Sequence, residues 1–389
     1  MTTSSSATLS RVNTPPAQTW NYLRANDITL TVPCESRQGD VYFALPRLFE
    51  GIECGMGQQV TDWVESQATD SQYVEVKAGQ KRTEPIVVSS MDAGVMVRAG
   101  AEATIVVCAA GAEPLPVSAD SDSPRFASLA AELAGDTGKG PAAPVKTSAA
   151  LARIIAERDA TVHVLEFVAA NDGVQHLESV GITADERARV DVRQFFLGAA
   201  TTAAGLVCSL NGSSARFDLT CRYLGRDQEL LDINHVVRMR GKNTRTNIAE
   251  SGVLDGHAKK ALRATIDLIH GAKGAEGTEL ETVLVLSDDV TNKTMPVILC
   301  DEDDVVGNHG ASIGSVGPEQ IQYLADRGLS QSEAEALYVR ALFDEAVLAA
   351  PTHEVRAVVL ERAKEVLGSQ IAGDLVEGLG LADQPAKED

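Results

Sequence analysis

His309 stands among residues that leave an imidazole room to act, with Gly307 and Asn308 before it and Gly310, Ala311 and Ser312 after it. Small neighbours let another backbone or a ligand approach the ring, and a neutral imidazole is a good transition-metal ligand. Just upstream, Asp301, Glu302, Asp303 and Asp304 gather enough carboxylate for a hard cation, but not at EF-hand spacing, so they read as a solvated turn. The six cysteines, Cys34, Cys54, Cys108, Cys208, Cys221 and Cys300, include no CxxC pair and no zinc or ferredoxin spacing. Each sits in an apolar or strand context and reads as a buried, inert thiol, with Cys300 a core cysteine on a strand. His257 follows Asp255-Gly256 at a turn and reads as a surface residue. Gly135-Asp136-Thr137-Gly138-Lys139-Gly140 lacks the spacing and the strand-to-helix context of a phosphate loop, and there is no HExxH and no strand-linked GxGxxG. Any ATP dependence must therefore come from a partner.

Composition narrows the classes further. The chain has 389 residues, more than a single small core, so a large central domain with appendages is expected. Hydrophobic residues make up 44% but aromatics only 4%, so the core must be built from Val, Ile, Leu and Ala. A formal charge of −21 repels phosphate backbones and anionic lipid, which argues against nucleic-acid and membrane-surface roles. No run approaches a membrane span, and residues 1–18 are polar with no apolar leader. The expectation is a cytoplasmic protein with free thiols, in which the Asn-x-Ser/Thr sites at Asn211 and Asn292 have no glycan role.

The elements that must position His309 follow from hydropathy periods. Residues 1–18 are expected to be disordered, and 19–85 to form a mixed region in which Trp20 and Leu23 anchor a short helix. Residues 86–312 form a β-rich core, interrupted at about 118–148 by a Gly/Pro/Ser-rich excursion with a short helix at 126–134. A helix is expected at 149–157. Phe217, Leu219, Cys221 and Tyr223 alternate with Asp218, Thr220 and Arg222, the two-residue period of a half-buried strand. Asn211-Gly212 marks a turn, and further strands are expected at 230–239, 246–253, 264–269, 282–286 and 296–299. Many short strands with frequent turns admit a sandwich, a barrel or a β-helix. From Pro318 the period becomes helical, giving a C-terminal helical domain over 313–381 and a solvated tail at 382–389. Pro318 suits the first helical position, Gly328 a C-terminal cap, and Ser330-Gln331-Ser332-Glu333 a capping box.

Read in order, strand, Asp303-Asp304-Val305, His309-Gly310-Ala311-Ser312, Gly314, and then a short helix ending Tyr323-Leu324-Ala325-Asp326-Arg327-Gly328 resemble the SufB/SufD family of iron–sulfur cluster assembly scaffolds. Gly252-Val253-Leu254-Asp255-Gly256 is similar to a second family segment. Asn308-His309-Gly310, without the acidic residue of SufB-like chains, places the resemblance nearest to SufD. The resemblance implies a right-handed parallel β-helix core with N-terminal and C-terminal helical segments. It implies a scaffold subunit without turnover of its own, joined through the β-helix to a SufB-like subunit or to a second copy, and through the C-terminal helices to a SufC-like ATPase. It also implies a transient iron–sulfur cluster with His309 as a ligand at the subunit interface, and leaves flavin binding open. Gly307 departs from the SufD pattern, which often has cysteine there, so no thiol acts at that place. Two other readings stay open: a purely structural partner of the scaffold and ATPase, and a β-helix enzyme acting on polysaccharide. The lack of a leader and the helical C-terminus weigh against the second.

Overall fold

The computed structural model describes residues 5–17, 25–34, 44–109 and 146–378. The helices expected near Trp20 and at 126–134, most of the excursion, and the tail at 382–389 lie outside the described residues. Strand β1 (Ser5–Val12) pairs antiparallel with β2 (Ile28–Cys34), so the segment expected to be disordered is in part a strand. Its Leu9 and Val12 supply the reason, packing with Ile28, Leu30 and Val32 beside Trp63 and Val64. Those last two belong to helix α1 (Gln58–Gln67).

Among the described residues sixteen parallel strands follow, coiled so that alternate strands fall into two facing sheets. One sheet stacks β4 (Ile86–Val87), β6 (Glu102–Cys108), β8 (Thr161–Ala169), β10 (Arg189–Gly198), β12 (Arg216–Gly225), β14 (Arg245–Leu254), β16 (Glu276–Val285) and β18 (Val306–Gly314). The other stacks β3 (Ser71–Val76), β5 (Asp92–Val97), β7 (Lys146–Ala156), β9 (Val174–Ala184), β11 (Thr201–Leu210), β13 (Leu230–Met239), β15 (Lys259–Leu268) and β17 (Thr291–Cys300). This is the expected parallel β-helix. It begins at Ser71, earlier than residue 86, and ends at Gly314. The Asn211-Gly212 turn joins β11 to β12, which lie in different sheets.

The alternation places inward residues of successive coils in columns. Ala152, Ile154 and Ala156 of β7 join Val180, Ile182 and Ala184 of β9 in the interior. Ala149 and Leu151 of β7 pack outward against the N-terminal segment instead. Strand β7 is therefore apolar on both faces, which is why its Ala-rich run mimics a helix; the helix expected at 149–157 is a strand.

Four helices close the described chain: α2 (Pro318–Ala325), α3 (Gln331–Ala349), α4 (His353–Leu367) and α5 (Ser369–Gly378). The capping box of α3 forms as expected, with Ser330 Oγ accepting from the Glu333 amide and the Glu333 carboxylate accepting from the Ser330 amide at 2.8 Å. Phe343, Ala346, Val359 and Ala363 of α3 and α4 cover Phe167, Phe195, Leu197 and Val253 on the outer face of the even-numbered sheet. Arg362 pins this contact, donating to the Leu197 carbonyl at 3.1 Å and to Glu229 at 2.6 Å. Gly198 makes room, since a Cβ there would lie 2.1 Å from the Arg362 guanidinium. Arg362→Met should cost about 3 kcal/mol of stability, because Glu229 would stay buried without its cation. A urea titration with near-wild-type stability would show that the helices are held by apolar contact alone.

Candidate functional site at the open end of the solenoid

His309 lies in the middle of β18, the last strand of its sheet, and occupies an inward column: Ile105, Val164, Val192, Leu219, Ile248, Glu279, His309. The members of this column from Ile105 to Glu279 are buried because the next coil covers them. No described strand covers β18, so the same position that packs a core side chain in earlier coils presents His309 to solvent. Gly307 fits tightly, as a Cβ there would meet Ile298 Cγ2 at 3.1 Å.

Cys300 follows the same logic in the other sheet. It continues the column Ala156, Ala184, Leu210, Met239 and Leu268, all buried. Because β17 is the last strand there, Cys300 is exposed and donates to the Glu302 carbonyl at 3.3 Å, so the expectation of a core cysteine is corrected. Cys54, Cys208 and Cys221 are buried, and burial pushes the thiols of Cys54 and Cys208 up to about 12 and well above their usual range respectively. Cys34 and Cys108 are half-buried.

The acidic turn is structural. Glu302 accepts from the amides of Gly271 at 3.0 Å and Asp303 at 3.1 Å, and the Gly274 amide donates to the Asp304 carbonyl at 2.7 Å. These bonds tie the last turn to the one before it, and the Gly271 amide holds the Glu302 carboxyl below its usual range. His257 is exposed, as expected, 3.8 Å from Asp289. Gly310-Ala311-Ser312-Ile313-Gly314 spells GxSxG, yet Ser312 lies along an edge strand and not on a strand-to-helix elbow, so no nucleophile site follows. Among the described residues no three His, Cys, Asp or Glu side chains are grouped to hold a metal ion. His309 thus offers one nitrogen donor on an accessible edge, with the Glu279 carboxyl its neighbour in the column.

Beneath this face runs a feature that periodicity does not reveal. The column beside that of His309 reads Glu166, Gln194, Cys221, Glu250, Glu281, all buried. Across the interior stand His176, Glu178, His235 and Lys260. Gln194 donates to Glu166 at 2.8 Å, His235 Nδ1 lies 2.6 Å from Glu250, and Tyr223 donates to Glu281 at 2.6 Å. Lys260 donates to Glu281 and, at 3.0 Å each, to Asn292 and Thr294 of the last coil. Burial pushes the Glu250 carboxyl up to about 8, the Glu281 charge adding to it, while burial pushes His235 down to about 4. The His235–Glu250 contact is therefore a hydrogen bond between neutral groups at pH 7. The one sequence signal for this file is a polar, ionisable or thiol side chain at successive inward positions, legible only once the register is known.

Comparison with known proteins places the chain in a family. The family model described as "SUF system FeS cluster assembly, SufBD core domain" matches residues 131–342, more than half of the chain. The iron–sulfur cluster assembly protein SufD of Bacillus subtilis is 31% identical over 131 residues, covering 34% of this chain and 30% of that protein. A chloroplastic SufBD family protein of Arabidopsis thaliana is 24% identical over 159 residues, covering 41% of this chain and 28% of that protein. A SufBD family protein of Methanocaldococcus jannaschii is 24% identical over 128 residues, covering 33% and 40%. The matched segments thus span less than half the length of each of these relatives. No described helix is long and apolar enough to cross a membrane.

The buried carboxyls make stability depend on pH. Glu250 holds its proton up to about pH 8 in the folded chain, against 4.5 ordinarily, so between those values the folded state binds more protons than the unfolded one. Its contribution is complete below pH 4.5 and is lost as pH rises through 8, at up to about 1.4 kcal/mol per pH unit. Glu250→Gln should flatten that decline in urea titrations from pH 5 to about 8. An unchanged slope would mean that Glu250 is ionised in the folded protein.

Proposed function

The chain belongs to the SufBD core family of the SUF iron–sulfur cluster assembly system, and from that premise we propose that it is a SufD-like scaffold subunit. In this reading it pairs along β18 with a SufB-like subunit or a second copy of itself and carries a SufC-like ATPase on its C-terminal helices. The observation that carries the reading is the uncovered edge of β18. An edge strand whose backbone groups lack a neighbour favours pairing with another chain. This edge also carries apolar side chains, with Val306, Ile313 and the adjacent Leu280 each at least half exposed. A joint made there would bury His309 between two subunits, where one imidazole and the partner's thiolates would bind the nascent cluster as cargo.

The helical end supports the second contact. Tyr323, Leu337 and Leu348 remain exposed although the opposite faces of α3 and α4 pack on the solenoid. Large exposed apolar side chains on rigid helices suit a docking surface for a partner. The chain itself does no ATP chemistry in this reading, and its work is to hold and release.

The alternative, a partner that only stabilises scaffold and ATPase, gains from Gly307 and from the absence of any group of three metal-ligating side chains among the described residues. One variant separates the two. His309→Ala changes an exposed residue, so folding and co-purification with SufB-like and SufC-like proteins should be unaffected, whereas cluster-dependent enzyme activity in cells should fall about tenfold or more, the loss expected when one metal ligand goes. Full cluster output from cells carrying only His309→Ala would leave the purely structural reading.

A further inference from the structure

A cleft of about 380 Å³ opens on the far side of the molecule, between the N-terminal segment and the odd-numbered sheet. Its floor is a built seat for residues 54–57. The Gly55 amide donates to the Val180 carbonyl at 3.2 Å, the Met56 amide to Ser179 Oγ at 3.2 Å, and Asn234 Nδ2 to the Gly55 carbonyl at 3.1 Å. The sheet carries glycine where this segment crosses it. A Cβ on Gly205 would stand 2.3 Å from the Gly55 carbonyl carbon, and one on Gly181 2.7 Å from the Glu53 carbonyl oxygen. The seat therefore launches α1 from a fixed point, with Gly57 at φ +92° as its N-cap.

Three features of the cleft point to an anion. First, Gly57 offers no side chain to the first-turn amides of α1, and that turn holds no acidic residue. Unpaired amides and the helix dipole together favour negative charge there. Second, Arg11 lines the cleft from a left-handed backbone position, φ 56°, and pairs with no carboxylate among the described residues. Third, the acid that also lines the cleft is neutralised: Arg238 donates to both Glu53 oxygens, at 2.6 and 2.5 Å, and to Asp267 at 2.7 Å. A further, independent mark of a ligand is Asn234. It is 1% exposed, lines the same cleft, and leaves Oδ1 without a protein partner. A buried acceptor in that state is costly unless something donates to it.

We propose that this cleft binds a small phosphorylated molecule, its phosphate on the α1 amides and Arg11 and a hydroxyl of its body donating to Asn234 Oδ1. The volume suits a ligand of about sugar-phosphate size. The site is separate from β18 and needs no second subunit, so its occupancy is read on the chain alone.

Calorimetric titration of the full chain with ribose 5-phosphate, inorganic phosphate and ribose tests the proposal. Ribose 5-phosphate should bind more tightly than inorganic phosphate, and ribose should not bind. Arg11→Ala should weaken binding about tenfold or more, and Arg11→Lys should retain most of it. Gln58→Glu, which sets an acid beside the first-turn amides and gives up the Gln58–Asp62 hydrogen bond, should weaken binding while the chain stays folded by circular dichroism. Failure of both phosphates to bind, or equal binding by wild type, Arg11→Ala and Gln58→Glu, would overturn the site. Equal affinity for inorganic phosphate and ribose 5-phosphate would remove the Asn234 contact from it.

Discussion

In a coil of parallel strands, each turn is completed by the next one. The following coil supplies both the hydrogen-bond partners of the strand edge and the cover for the inward side chains. Somewhere the coil must stop, and at that point a row of backbone groups and the end of the core face outward. Here the stop falls at β17 and β18, and it explains the site in physical terms. His309 and Cys300 are exposed because they occupy core columns one coil beyond the last cover, not because they lie on loops. In the proposed reading, the imidazole at this edge is half of a joint that a second chain extending the sheet would complete.

The solenoid behind that edge is not uniformly apolar. A file of carboxyl, imidazole, thiol and ammonium groups follows the coil from Glu166 to Glu281 and Lys260. Register spaces these groups by one strand separation, about 4.8 Å, so each sits within reach of the next. Such a core sacrifices stability above neutral pH, since groups such as Glu250 must stay protonated to be buried at low cost. The apolar columns on its other side, built from Ala, Val, Ile and Leu, carry the burial that offsets this. A chain with 4% aromatics can make such a core because coils stack small side chains in register.

Much of this was legible beforehand, and the misses have definite causes. The strands at 230–239 and 246–253, the capping box at Ser330 and the helices after Pro318 follow local rules, and the structure contains them. The family resemblance supplied the coil, which periodicity alone left open among three all-β architectures. Strand β7 was missed because tertiary cover on both faces erased its alternation, and β1 because its Ser- and Thr-rich composition hid two core residues, Leu9 and Val12. Cys300 was misjudged because its strand context was right but its place in the stack was not. Glu250 and Glu281 carry no signal of burial in the sequence, since only the pairing of β14 with β12 and β16 shows that they share a column with Cys221.

Hydrogen–deuterium exchange, measured on the chain alone and bound to a SufB-like subunit, tests the role of the open edge most directly. Strong protection on binding should appear in Val306–Gly314, with the middle strands unchanged because they are already covered on both sides. Unaltered exchange across β18, with protection confined to the C-terminal helices or the outer faces of the sheets, would contradict a joint at the end of the solenoid.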